Sequence, residues 1–162
     1  MSKLKIAVIG TGLVGTFHAE AFFRNPNSEL VAVCDVDKEK VNSVAQSFNC
    51  KAYEDFTKLI NTETLDAISI ATPEQIRIEP AVMSVKKGLK ILLEKPLGRN
   101  LAKIHELVDK IKDHKKIISV NFILHEDPRY KLMKEKVTND EIGNIVSCFA
   151  RRRGNRFGIE IY

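Results

Sequence analysis

At 162 residues the chain has the length of one ordinary domain, long enough to bury a core. Its 44% apolar and 29% charged shares are those of a folded protein in water and argue against the disordered and membrane classes. The net charge of +5 has its densest cluster at Arg151, Arg152, Arg153 and Arg156, but no nucleic-acid-binding motif stands beside it and the lysines alternate with acids as on solvated helix faces, so neither nucleic acid nor a membrane is an expected partner.

Met1 to Lys5 runs directly into an apolar stretch cut by Gly10. No secretory leader or membrane span is expected, and the cytoplasm is the expected location. Cys34, Cys50 and Cys148 are widely spaced and form no CxxC, so they are expected to be reduced thiols packed as small apolar residues, with no disulfide and no metal.

In chain order, short apolar runs alternate with segments of helical period. This is the pattern of βαβ units in an α/β, doubly wound parallel sheet. The candidate strands are Lys5 to Ile9, Leu30 to Cys34, Ala52 to Tyr53, Ala67 to Ala71, Ile91 to Leu93 and Ile117 to Asn121. Between them Val41, Val44, Ala45 and Phe48 make one apolar helical stripe, and Leu101, Ile104, Val108 and Ile111 another. Asp37 and Asn100 stand where helix N-caps would be, and Gly88 where a helix would end. Asp127 and Pro128 open a Lys-rich helix, and a further strand is expected from Ile145 to about Arg151.

The first strand leads into Gly10, Thr11, Gly12, Leu13, Val14 and Gly15, a GxGxxG loop at the start of a helix. Strand, glycines and helix in that register predict a dinucleotide-binding Rossmann turn. Gly10 would make the tight turn, Gly12 would admit a pyrophosphate, and Gly15 would pack helix against strand. The helix N-terminus offers free N–H groups and the positive end of its dipole. Asp35 follows Gly15 by twenty residues (35 minus 15) and ends the second strand, where its carboxylate can accept from ribose hydroxyls and repel a 2′-phosphate. NAD is the expected cofactor, with NADP disfavoured.

Beyond this loop, His18 and Ala19, the run Glu29 to Asp35, Ala71-Thr72-Pro73 and Glu94-Lys95-Pro96 occur in order. With these motifs the chain resembles the amino-terminal domain of the Gfo/Idh/MocA oxidoreductases, the glucose-fructose oxidoreductase and inositol dehydrogenase family. The resemblance implies that Ala71, Thr72 and Pro73 border the nicotinamide end of the cofactor, that Glu94 and Lys95 lie at the same end, and that Lys95 is the catalytic residue beside a sugar or polyol substrate. It also implies a cis bond before Pro96. An ammonium at the carboxyl end of a parallel strand can hold a substrate hydroxyl and stabilise alkoxide character as hydride leaves. His18 is expected to play a packing role.

Two segments depart from the family pattern. Residues Glu74 to Arg77 replace a run that commonly has Asn first and His last, and His125 lies where Arg and an aromatic residue are common before Asp-Pro. The domain organisation expected is a Rossmann domain over 1–122, then a linker helix and the start of a second α/β domain over 123–162, with only its first strand present. Two functions stay open at this point: an NAD-dependent dehydrogenase for sugar or polyol hydroxyls, here as its cofactor domain and inactive alone, or a non-catalytic NAD-binding module for regulation or redox sensing. A homo-oligomer, or a separate chain supplying the second domain, is the expected protein partner.

Overall fold

The computed structural model describes residues 2–112 and 118–151. The chain divides into two compact units, Met1–Phe122 and Ile123–Tyr162. His114, Ile117 and most of the basic cluster at Arg151 to Arg156 lie outside the described residues.

The first unit is built on six parallel strands, β1 Leu4–Ile9, β2 Ser28–Cys34, β3 Lys51–Tyr53, β4 Ala67–Ile70, β5 Lys90–Leu93 and β6 Ile118–Val120. Their order across the sheet is β3-β2-β1-β4-β5-β6. The helices between them are α1 Leu13–Arg24, α2 Lys38–Phe48, α3 Phe56–Thr62, α4 Ile78–Lys86 and α5 Leu101–Ile111. The central strands are apolar on both faces, as a sheet covered on both sides requires. Val8 and Val33 pack with Ala19, Val41, Val44 and Ala45 of α1 and α2. The alternate residues Ala7, Ile9, Ala32 and Cys34 pack with Leu59, Ile60, Ala81, Val85 and Leu107 of α3, α4 and α5. This period of two sends each side chain to the opposite helical layer from its neighbour.

The predicted boundaries hold to within about two residues, the ordinary uncertainty of element ends. Asp37 caps α2 by accepting the Lys40 N–H at 3.1 Å, and Asn100 caps α5 by accepting the Lys103 N–H at 3.2 Å. Gly88 ends α4 with φ +72°, in the left-handed region that a Cβ disfavours. The α5 stripe needs correction: Leu101 and Val108 are exposed, and the side chains packed into the core are Leu107 and Ile111, with Ile104 half-buried. Both sets share the three-and-four spacing, and Leu107 shifts the packed face by about a quarter turn.

Among its described residues the second unit holds a 3-10 turn, Ile123–His125, and α6, Pro128–Thr138, which Asp127 caps by accepting the Arg129 N–H at 2.9 Å. The strand expected from Ile145 to Arg151 is not formed among the described residues. Ile145, Val146 and Phe149 are 60%, 95% and 90% exposed. A strand is held by its neighbours' hydrogen bonds, and none pairs with this segment. Cys148 is also exposed, so of the three thiols only Cys34 is buried and Cys50 half-buried.

Candidate functional site

Sheet hydrogen bonding continues one residue past the strands. The N–H of Gly10 donates to Cys34 O at 2.7 Å, that of Asp35 to Tyr53 O at 3.1 Å, that of Ala71 to Ile9 O at 2.8 Å, that of Glu94 to Ile70 O at 3.1 Å and that of Asn121 to Leu93 O at 2.7 Å. Asp35, Gly10, Ala71, Glu94 and Asn121 therefore stand in a row along the carboxyl edge of the sheet, each the first residue beyond its strand. The strand order reverses between β1 and β4, where a parallel sheet opens a crevice for ligands.

A cleft of about 1180 Å³ runs along this edge. Gly10, Gly12, Leu13, Val14, Asp35, Ala71, Thr72, Pro73, Glu94 and Lys95 all line it. Thr11 and Gly15, also predicted as site residues, are buried beneath the loop and support it. A Cβ on Gly15 would lie 1.8 Å from the Gly10 carbonyl oxygen, so only glycine lets α1 start this close to the turn. Gly10 has φ +92°, and a Cβ there would lie 2.8 Å from the Ala71 carbonyl carbon. A Cβ on Gly12 would meet nothing within 4 Å. It would instead project from the floor of the cleft into open space. Gly12 is also the N-cap of α1 and gives it no side-chain cap, which leaves first-turn N–H groups for an anion.

At one end of the row the half-buried Asp35 carboxylate is tied to the glycine loop. One oxygen accepts the Thr11 N–H at 2.7 Å and the Thr11 hydroxyl at 3.0 Å, and the other accepts the Asp37 N–H at 3.1 Å. A carboxylate has about four acceptor positions, so one remains for a ligand hydroxyl. Val36, Phe56 and Ile76 add apolar wall to the cleft, and sequence spacing had not marked them.

At the other end Lys95 is exposed in the cleft and the Lys95–Pro96 bond is cis. Beside it the buried Glu94 accepts from Asn121 Nδ2 at 2.5 Å and from its neighbour Lys95 N–H at 3.2 Å, with His18 Nε2 at 3.3 Å. His18 Nδ1 lies 2.7 Å from the Ser69 hydroxyl. These partners fit an imidazole that donates from Nε2 to Glu94 and accepts at Nδ1 from Ser69. The nearby carboxylate favours a charged ring, yet burial outweighs it and holds His18 below its ordinary value. The expected packing role of His18 is thus a hydrogen-bonding one: it joins α1, β4 and Glu94, while Asn121 Nδ2 donates to the same Glu94 oxygen.

Arg77, predicted only as a departure, is 4% exposed at the start of α4. Its guanidinium donates to the main-chain carbonyls of Thr72, Glu94 and Pro96. The Thr72 hydroxyl and Arg77 Nε are buried without a hydrogen-bond partner among the described residues. No spacing rule relates Arg77 to residues 17 and 19 positions later, because the fold alone brings them together.

Residues 4–122 match the oxidoreductase family described by its NAD-binding Rossmann fold, Gfo/Idh/MocA. The chain belongs to this family. It is 30% identical over 143 residues to an inositol 2-dehydrogenase of Rubrobacter xylanophilus, covering 87% of this chain and 41% of that protein. It is likewise 30% identical over 147 residues to glucose-6-phosphate 3-dehydrogenase of Bacillus subtilis, covering 88% of this chain and 40% of the relative. Among solved structures, myo-inositol dehydrogenase of Lactobacillus casei in complex with NAD(H) and myo-inositol superposes with a TM-score of 0.81 at 30% identity, covering 87% of this chain and 43% of that one. The chain thus spans about two fifths of the length of these Gfo/Idh/MocA relatives. No helix among its described residues is long and apolar enough to cross a membrane.

Proposed function

We propose that this chain is the cofactor-binding part of an NAD-dependent dehydrogenase that oxidises a sugar or polyol hydroxyl, working in the cytoplasm. The observation that carries the reading is the row of Asp35, Gly10, Ala71 and Glu94 along one cleft, with Lys95 exposed in it. The cleft fits a dinucleotide on its own chemistry. The floor at Gly12 is open, the N-cap of α1 offers its first turn no side-chain cap, and the buried Thr72 hydroxyl has no hydrogen-bond partner among the described residues.

In this reading the Gly10 to Gly15 loop and the N-terminus of α1 hold the pyrophosphate, and Asp35 accepts from the adenosine ribose and disfavours a 2′-phosphate. Ala71, Thr72 and Pro73 border the nicotinamide, which supplies the hydride acceptor. The Lys95 ammonium would donate to the substrate hydroxyl oxygen and stabilise the negative charge left there when the hydroxyl proton passes to solvent or to a base on the substrate side. Glu94, itself held by Asn121 and His18, accepts the Lys95 N–H and so orients the main chain that carries the ammonium. A binding module with no chemistry of its own would have no use for an exposed lysine at this end of the cleft.

The test is a panel of inositols and aldoses assayed for NADH formation with the parent and with Lys95→Ala, alongside dinucleotide titrations of both. Turnover lost in a variant that still binds NADH supports the reading. Equal and measurable turnover in the two proteins removes Lys95 from the chemistry.

A further inference from the structure

Arg77 is an expensive residue to bury here. The residue is 4% exposed, and among the described residues its guanidinium forms no ion pair within 4 Å, although the Glu94 and Glu74 carboxylates act on it from further away, and its Nε has no hydrogen-bond partner. A buried charge and an unsatisfied donor each cost stability, so an arrangement that served folding alone would favour a neutral, fully paired side chain.

What the charge does is specific to the cleft. The carbonyls it collects come from two loops, Thr72 after β4 and Glu94 and Pro96 after β5. A planar fork can donate to several carbonyl oxygens lying in different directions, and the charge strengthens each bond. The Glu94–Lys95 peptide is held from both ends: its carbonyl faces Arg77, and its N–H donates to the Glu94 carboxylate at 3.2 Å. With the Thr72 carbonyl also turned to Arg77, the orientation of that residue is set while its hydroxyl has no partner among the described residues. Both loops border the β4 and β5 side of the cleft, across the strand-order reversal from Asp35.

We propose that Arg77 is a positioning residue for the nicotinamide half of the cleft, holding the main chains of Thr72 and of residues 94–96 in the relative placement that receives this half of the ligand and aims Lys95. The proposal rests on the dinucleotide reading above. Arg77 makes no hydrogen bond to the glycine loop or to Asp35, so its influence is confined to one half of the ligand.

The experiment titrates NADH and ADP-ribose into the parent, Arg77→Met and Arg77→Lys, with bound-NADH fluorescence followed in parallel. The parent binds both ligands, NADH more tightly. In Arg77→Met the affinity for NADH falls on the order of tenfold, as a small misplacement of contact groups produces, while that for ADP-ribose is unchanged and the emission moves toward that of free NADH. Arg77→Lys keeps the charge without the fork and loses less. If Arg77→Met does not fold, Arg77→Lys decides alone by the same selective loss. Equal losses for the two ligands, or no loss for NADH, overturn the proposal and leave the dinucleotide reading intact. A parent that binds neither ligand overturns the dinucleotide reading itself.

Discussion

Asp35 accepts both the N–H and the hydroxyl of Thr11, at 2.7 and 3.0 Å, which ties the end of β2 to the glycine loop after β1. The residue that would choose the cofactor is therefore also a brace for the loop that would hold it. Calorimetric titration is expected to show tighter binding of NADH than of NADPH, and Asp35→Ala should narrow that gap. It should also cost about 1–3 kcal/mol of stability, because the Thr11 N–H is left buried without a partner. Equal affinity of the parent for the two cofactors would remove the ribose assignment.

The glycines separate by what surrounds them. Gly12→Val should leave the domain folded, since a Cβ there meets nothing within 4 Å, but should abolish dinucleotide binding by filling the space over the helix N-terminus. Gly15→Ala should behave oppositely. Its Cβ would fall 1.8 Å from the Gly10 carbonyl oxygen, so the loop must shift at a cost of about 1–3 kcal/mol. Circular dichroism melts combined with calorimetry would check both, and undiminished NADH binding by a folded Gly12→Val would restrict the glycines to a turn-forming role.

Acid should weaken the fold through His18. Burial lowers its folded-state value below the ordinary 6.5, so the unfolded chain binds the extra proton first as pH falls. This contribution to stability is fully present above about pH 6.5 and is lost as pH falls through the folded value. Melting temperatures measured across this range should drop more steeply in the parent than in His18→Gln. Parallel curves would show that the ring does not sense the change.

Thiol reactivity should follow exposure. Burial, with Asp35 nearby, pushes the Cys34 thiol up to about 12, and burial pushes Cys50 up to about 11, while Cys148 lies exposed after α6. Mass spectrometry after brief alkylation is expected to find the label on Cys148, with Cys34 modified only on unfolding. Early labelling of Cys34 would contradict its place between β2 and the α3–α5 layer.

Local patterns carry a long way in this chain. Alternating apolar runs, the GxGxxG spacing and an acid twenty residues after Gly15 are short-range features, and short-range sterics and hydrogen bonding translate them directly into strands, a tight turn and a capped helix. Hence the strand positions, the Asp37 and Asn100 caps and the line of cleft residues from Gly10 to Lys95 were legible before any coordinates. What depended on the folded chain are relations between distant positions. Asn121 meets His18 across 103 residues, and Arg77 finds carbonyls in two separate loops. The choice of Leu107 over Val108 as the packed face of α5 is of the same kind, since both satisfy the helical period and only the sheet beneath decides. The segment from Ile145 to Arg151 has the composition of a strand and forms none, because composition supplies the side chains of a strand whereas its hydrogen bonds must come from a neighbour that tertiary structure provides.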